Sequence, residues 1–149
     1  MTKATLSRRK TQSGSALIEF ALSFTLLVML GVAAVSFGLA VQNSIIVADA
    51  ANAGALYGAN STYGATDVTG MQQTAIAAGA GVKNLTATAS YWCKCSAIGT
   101  AVGCSTNCGT DQPLYFVQVT ASATYNNFFS FMGLPATFTL QSSSVMQAQ

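Results

Sequence analysis

Residues 8–42 read RRKTQSGSALIEFALSFTLLVMLGVAAVSFGLAVQ, and this stretch decides the fold. Phe20 begins an uncharged, mostly apolar run that extends to Gln42. A helix of about 20 apolar residues crosses a hydrocarbon layer of roughly 30 Å, so we predict a transmembrane helix over about residues 20–41. Glu19 stands at the edge of this segment. Because a carboxylate there is costly unless it finds a partner, Glu19 is a candidate functional residue.

The charges of the 149-residue chain are few and unevenly placed. Only 7% of the residues are charged, against about 25% in an average soluble domain, and 51% are hydrophobic. Four of the six basic residues precede Gly14, and carboxylates outnumber lysines after it. The positive-inside tendency therefore keeps the basic end in the cytoplasm and sends the C-terminal part outward. No basic stripe is available to neutralise phosphates, which argues against a nucleic-acid partner.

Apolar periodicity predicts an α+β fold. Helical spacing continues through Ile46, Ala50, Ala53 and Tyr57, so we expect the membrane helix to continue into an amphipathic half. This half should pack on a small antiparallel three-stranded sheet, which is the smallest stable arrangement.

Several elements are predicted after the long helix. We expect a turn at residues 60–64 and a short helix over residues 68–78, for which Asp67 is a suitable N-cap. Alternation with a period of two then predicts three half-buried strands. They cover residues 85–92, 115–125 and 136–141.

Four cysteines follow the spacing C-x-C-x8-C-x3-C, at Cys93, Cys95, Cys104 and Cys108. An even number of cysteines on the exported side predicts two disulfides that close the intervening loop. Three pairings are possible. The nested pairing of Cys93 with Cys108 and Cys95 with Cys104 suits a hairpin best, but the spacing leaves the choice open. A zinc site of four thiolates is disfavoured because two ligands separated by one residue are unusual. We expect no metal and no cofactor.

The remaining features favour a structural role. The chain contains no histidine and no cluster of residues typical of catalysis, so we do not expect an enzyme. Asp49 and Asp111 are interpreted as a solvated helix residue and a turn residue. The apolar loop at residues 128–134 is expected to cap the core, with an exposed docking surface as the alternative. For Trp92 and Tyr91, packing against the disulfides is the simpler expectation, and a place at an adhesive tip is the alternative.

Two segments resemble a known family. The sequence Gly14-Ser15-Ala16-Leu17-Ile18-Glu19-Phe20-Ala21-Leu22 is similar to the processing site of type IV pilin-like precursors, particularly TadE-like proteins of tight-adherence (Flp) pilus systems. The segment Asp49–Gly58 resembles the Ala-Ala-Arg-Ala-Gly-Ala-Arg-Tyr pattern that ends that family's helix. Asn52 and Leu56 stand where arginines are common in the family.

The resemblance implies a pilin-like life cycle. A prepilin peptidase would cut between Gly14 and Ser15, and Glu19 and Phe20 would serve in assembly. In pilins the acid at the position of Glu19 is thought to pair with the new terminal ammonium group. The 135 residues left after the cut exceed the short major pilins of these systems, which implies a minor pilin or pseudopilin. The implied partners are the peptidase, other pilin-like subunits, the pilus assembly machinery and the membrane.

The same resemblance divides the chain into three parts: a basic leader over residues 1–14, a pilin-like helix over 15–59, and an extracytoplasmic domain over 60–149. The implied location is the inner membrane before assembly, with the C-terminal domain outside the cytoplasm. Afterwards the chain would be found in the periplasm, at the cell surface or in an extracellular filament.

Three alternatives remain open from the residues alone. Glu19 could merely reach the interface from a single-pass anchor. An ordinary signal peptide could be removed after Gly38-Leu39-Ala40, although the apolar run is longer than the usual 7–15 residues or so. The protein could also be an anchored or secreted disulfide-stabilised binding module with no pilus role.

Overall fold

A computed structural model describes residues 13–95, 99–109, 112–126 and 137–148 of the chain. Three helices and four strands occur in these ranges: α1 (Ser13–Ala59), α2 (Thr62–Thr66), α3 (Val68–Ala78), β1 (Thr86–Lys94), β2 (Ala101–Val102), β3 (Leu114–Asn126) and β4 (Thr137–Gln147). The predictions for the basic leader before Ser13, for Asp111 and for the loop at residues 128–134 lie outside the described residues.

The chain divides into two compact units, Met1–Phe37 and Gly38–Gln149. The described part of the first unit is the N-terminal part of α1, in which every residue from Gly14 to Val35 is exposed. Two of its hydroxyl groups donate hydrogen bonds within the helix: Thr25 donates to the carbonyl oxygen of Ala21 at 2.8 Å and Ser36 to that of Val32 at 2.9 Å. By length and composition α1 qualifies as a membrane span.

The second unit contains a four-stranded antiparallel sheet in the order β2-β1-β3-β4. The prediction of three strands was therefore wrong. The additional strand, β2, pairs Ala101 with Lys94 and Val102 with Cys93. Because two residues cannot display an alternating pattern, this strand has no periodic signal in the sequence.

The predicted boundaries hold in part. The short helix spans Val68–Ala78 as predicted, but the predicted turn at residues 60–64 is wrong because α2 begins at Thr62. The side chain of Ser61 caps α2 by accepting a hydrogen bond from the Gly64 N–H at 3.0 Å. Strand β4 runs six residues past its predicted end at Gln141, because serines that lack an apolar signal still pair with β3.

The C-terminal half of α1 buries a stripe of small residues. The buried stripe is shifted by one residue along the helix from the predicted face. Ala50 is buried as predicted, but Tyr57 is 40% exposed. The residues of α1 that are buried are Val47, Ala50, Ala51, Gly54, Ala55 and Gly58. Small residues occupy this face because they let the helix approach α3 and the sheet most closely. A Cβ added at Gly54 would lie 2.8 Å from the carbonyl oxygen of Met71.

Two hydrophobic clusters form the core between the helices and the inner face of the sheet. The first cluster comprises Ala55, Ala65, Met71, Ala75, Val117, Val119 and Ala148. The second comprises Val47, Ala50, Ala51, Ala121 and Ala123. The buried residues of β3 alternate along the strand as predicted, because its inner face contacts the helices while its outer face carries polar side chains.

Candidate functional site

The Gly14–Ser15 bond lies in the first turn of α1. Gly14 is exposed, and a Cβ placed on it would meet no atom within 4 Å. The first four N–H groups of a helix have no intrahelical acceptor, so the first turn is held by few hydrogen bonds. Local unwinding at this bond therefore costs less than unwinding in the helix interior.

Glu19 is the only charged residue between Ser13 and Ala48. It is exposed and follows Ser15 by four positions, which places the two residues on the same face of the helix one turn apart. A carboxylate at this spacing can reach a positive charge at the position of Ser15. Ser15 and Glu19 are thus close along one face of α1, although no terminal ammonium group exists at Ser15 in the full chain.

Phe20 projects from the same turn and is 68% exposed. Its ring stacks on that of Phe24, with 6.0 Å between the ring centroids. Large apolar side chains continue along the exposed helix, among them Leu17, Leu22, Leu26, Leu30, Val35 and Phe37. An apolar surface of this extent marks contact with a membrane or with another protein.

The four cysteines form two disulfides, as predicted, but the favoured nested pairing was wrong. Cys93 pairs with Cys104, and Cys95 pairs with Cys108, so the two bridges interleave. The register of β1 and β2 gives the reason. Because Val102 lies opposite Cys93, Cys104 is only two residues beyond that position but four beyond the position opposite Cys95.

Aromatic residues on the outer face of the sheet stand beside this loop. Trp92 stacks on Phe116 of the neighbouring strand, with 6.0 Å between the ring centroids. The Nζ atom of Lys94 lies 5.2 Å from the centroid of the Phe116 ring, which is within the range of a cation–π contact. Trp92 thus packs on Phe116 on the opposite face of β1 from Cys93, and not against the disulfides as predicted, because consecutive residues of a strand point to opposite faces.

A hydrogen-bonded pair joins the end of α1 to the start of α3, and the sequence analysis missed it. The Tyr57 hydroxyl donates to Oδ2 of Asp67 at 2.9 Å, and the Gly70 N–H donates to Oδ1 at 2.9 Å. The Gly70 hydrogen bond, followed by that from Tyr57, lowers the pKa of Asp67. The Asp67 carboxylate in turn raises the pKa of Tyr57. The only sequence signal for the pair was the N-cap aspartate itself.

Within the described ranges, no group of three or more histidine, cysteine, aspartate or glutamate residues is arranged to hold a metal ion. The thiols of all four cysteines are consumed in disulfides.

These features define a class of protein in which one long apolar helix with an acid near its start precedes a small disulfide-bonded α+β domain. The family model of TadE-like proteins matches residues 14–56. This match confirms the predicted resemblance over a segment that includes Gly14, Ser15, Glu19 and Phe20, and it ends before α2. No curated protein and no solved structure matches the chain.

Proposed function

We propose that this chain is a pilin-like structural subunit, a minor pilin or pseudopilin, of a tight-adherence type pilus that supports surface attachment. The observation that carries the proposal is an exposed apolar helix that contains Gly14, Ser15 and Glu19 and lies within residues 14–56, the segment that the TadE-like family model matches. The role is structural rather than catalytic. The chain acts by packing its helix against other helices.

The first step of the proposed cycle is removal of the leader. A prepilin peptidase cuts between Gly14 and Ser15. Because Gly14 has no side chain, the extended backbone before the cut can enter a protease cleft. The position of this bond in the first turn of α1 supports the step, because few hydrogen bonds must break. The cut creates a free ammonium group on Ser15.

The second step is assembly through the helix. The Glu19 carboxylate pairs with a Ser15 ammonium group, on its own chain or on a neighbouring subunit. The spacing of four residues supports the pairing within one chain. In a low-dielectric setting an unpaired acid is strongly disfavoured, so the pair favours one axial register of the packed helices. Phe20 supplies apolar contact beside it. The pilus assembly machinery extracts the subunit from the membrane.

The disulfides fit the proposed location. The chain is first anchored in the inner membrane with its C-terminal domain outside the cytoplasm, where cysteines are oxidised. It then resides in the periplasm, at the cell surface or in a filament. An anchored binding module with no pilus role would also carry disulfides. Such a module has no need for Gly14, Ser15 and Glu19 in register, so we favour the pilin-like role.

Replacement of Glu19 by glutamine tests the assembly step. We expect Glu19→Gln to reduce strongly the amount of the chain in sheared surface fibres, because the amide cannot pair with the ammonium group. Asp49→Asn is the matched control, since it removes a carboxylate from the exposed surface of the same helix outside the apolar segment. Equal recovery of both variants in fibres would reject the assembly role of Glu19.

The mature N-terminus tests the processing step independently. Mass spectrometry of the chain from whole cells should find Ser15 as the first residue, and cells without the peptidase should retain the leader. A terminus at Val41 would instead identify an ordinary secretory signal peptide. Retention of the leader in otherwise normal cells would contradict the whole proposal.

A further inference from the structure

Strand β4 forms an open edge of the sheet. Among the described strands its only neighbour is β3, with which it pairs from Thr137 to Gln147 without a break in register. Within the described ranges, its other side presents a row of unpaired backbone N–H and C=O groups. Natural proteins usually protect such an edge with charged residues, prolines or bulges. Strand β4 contains no charged residue, no proline and no bulge.

The opposite edge is open over most of its length. Strand β2 covers β1 only at Cys93 and Lys94, so the outer side of β1 from Thr86 to Trp92 has no partner among the described strands. This segment also lacks charges and proline. The sheet therefore has two uncharged edges, and neither would repel the other.

The topology gives these edges a common direction. Strands β1 and β4 are both antiparallel to β3, so they run parallel to each other. When two copies stand side by side in the same orientation, β4 of one faces β1 of the next as a parallel pair. The proposed function favours this common orientation, because every copy is inserted in the membrane or packed in a filament through the same helix. The inference rests on that function in this respect.

The side chains on the outer face can continue an existing pattern. Within one copy, the hydroxyl groups of Thr86 and Ser122 lie 3.0 Å apart, and Gln118 Nε2 donates to Ser143 Oγ at 2.9 Å. Cross-strand pairs of this kind stabilise sheets by roughly 0.2–1 kcal/mol each. The two edges carry the same types of residue at exposed positions: Thr86, Thr88 and Ser90 on β1, and Thr139, Gln141 and Ser143 on β4.

We propose that β4 of one copy pairs in parallel with β1 of a second copy, so that one sheet continues from subunit to subunit. The two surfaces of this contact differ, so it is heterologous and does not close into a symmetric dimer by itself. It adds a backbone contact between the extracytoplasmic domains to the contact between the helices.

Photo-cross-linking of the full-length chain in its native membranes tests this pairing. A photoreactive amino acid replaces Gln141, which is exposed on β4, and the copies are mixed from isotopically light and heavy cells. Trypsin cuts after Lys83 and Lys94, so after reduction the whole of β1 lies in the peptide 84–94. We expect linked dimers and larger species in which the 84–94 peptide of one copy is joined to the 95–149 peptide of another.

Three outcomes would overturn the pairing. A link from Gln141 to a residue of β4 within the 95–149 peptide of a second copy would show that two β4 strands pair with each other. A link only to a different protein would identify another occupant, and no link between copies would exclude the contact. The same photoreactive residue at Thr69, exposed on α3, is the control and should not label the 84–94 peptide.

A second variant tests the edge without a cross-linker on it. Gln141→Lys/Ser143→Lys adds the charges with which natural edges are protected, at two exposed positions. The cross-linker is one that does not react with amines, so the added lysines do not change its chemistry. We expect a severalfold loss of linked species in the double-lysine variant relative to the wild-type chain and to Thr69→Lys. Equal yields in all three would contradict the pairing. Recovery of the chain in sheared fibres is scored separately. Fibres without the link reject only the pairing, and the link without fibres rejects only the filament role.

Discussion

At the scale of single residues, the Tyr57–Asp67 pair connects two parts of the domain through one carboxylate. Asp67 accepts hydrogen bonds from the Gly70 N–H and from the Tyr57 hydroxyl, each at 2.9 Å. Both bonds favour the ionised acid, which lowers its pKa below the ordinary value of 3.8. The same carboxylate favours the protonated form of Tyr57 and raises its pKa above 10.0. The Asp67 carboxylate, held by the Gly70 N–H and by the Tyr57 hydroxyl, thus makes stability depend on pH in acid, and its bond with Tyr57 does so in base.

The Asp67 effect gives a prediction for acid. A carboxyl group with a lowered pKa in the folded state contributes stability that is complete above the unfolded pKa and is lost as the pH falls through the folded pKa. We expect the free energy of unfolding to fall as the pH drops below about 3.8. In Asp67→Asn this decline should be smaller, since asparagine also caps helices but does not titrate. Denaturant titrations at several pH values measure the difference.

One variant serves as the control for the acid experiment, and a second variant tests the effect of Tyr57 at high pH. Asp49→Asn removes an exposed acid that makes no such contacts in the described hydrogen bonds, and it should keep the decline of the wild-type chain. Tyr57→Phe should lack the fall in the free energy of unfolding that ionisation of Tyr57 causes at high pH. The raised pKa of Tyr57 contributes stability that is complete below pH 10.0 and is lost as the pH rises through its folded value. An Asp67→Asn chain with the full acid decline would contradict the assignment.

At the scale of elements, close packing of α1 on α3 and β3 depends on glycines. A Cβ added at Gly54 would lie 2.8 Å from the Met71 carbonyl oxygen and 3.0 Å from Cγ1 of Val119. One of these is a backbone atom, which cannot move aside as a flexible side chain can. The approach of α1 to α3 is therefore limited by a backbone atom at this position, and its approach to β3 by the Val119 side chain.

We predict that Gly54→Ala lowers the free energy of unfolding by about 1–3 kcal/mol, the usual cost of overpacking a core. Gly38→Ala is the matched control on the same helix, because an added Cβ there meets nothing within 4 Å. Thermal or chemical unfolding followed by circular dichroism should separate the two variants. A Gly54→Ala chain as stable as Gly38→Ala would show that α1 packs less closely than the structure describes.

At the scale of the whole molecule, the two disulfides and the small hydrophobic core both stabilise the second unit. Much of this core is alanine, which buries little apolar surface per residue. Small domains with limited cores commonly depend on disulfides. Both bridges join the C-terminal end of β1 to the segment that follows β2.

Replacing Cys93 and Cys104 together by alanine should lower the free energy of unfolding by about 2–4 kcal/mol. The single variant Cys93→Ala tests the pairing itself. It should leave Cys104 as the free thiol and keep the Cys95–Cys108 bridge. Alkylation under non-reducing conditions followed by mass spectrometry identifies the free thiol. Alkylation of Cys108 instead would restore the nested pairing.

The sequence by itself determined the long apolar helix, the candidate residues Gly14, Ser15 and Glu19, the helix capped by Asp67 and the three long strands. These features depend on composition and on the periodicity of neighbouring residues, so they are visible without a fold. The resemblance to TadE-like proteins is confirmed for the same reason, since it lies within one continuous segment, residues 14–56.

Only the tertiary structure decided strand β2, the buried stripe of α1 and the disulfide pairing. Each depends on which residues meet across long separations in sequence. Strand β2 exists because two residues find hydrogen bonds on β1, and that register then brings Cys104 to Cys93. The stripe centres on alanine and glycine because close approach of whole elements outweighs the size of any one side chain. The periodicity of neighbouring residues in the sequence does not predict such long-range contacts.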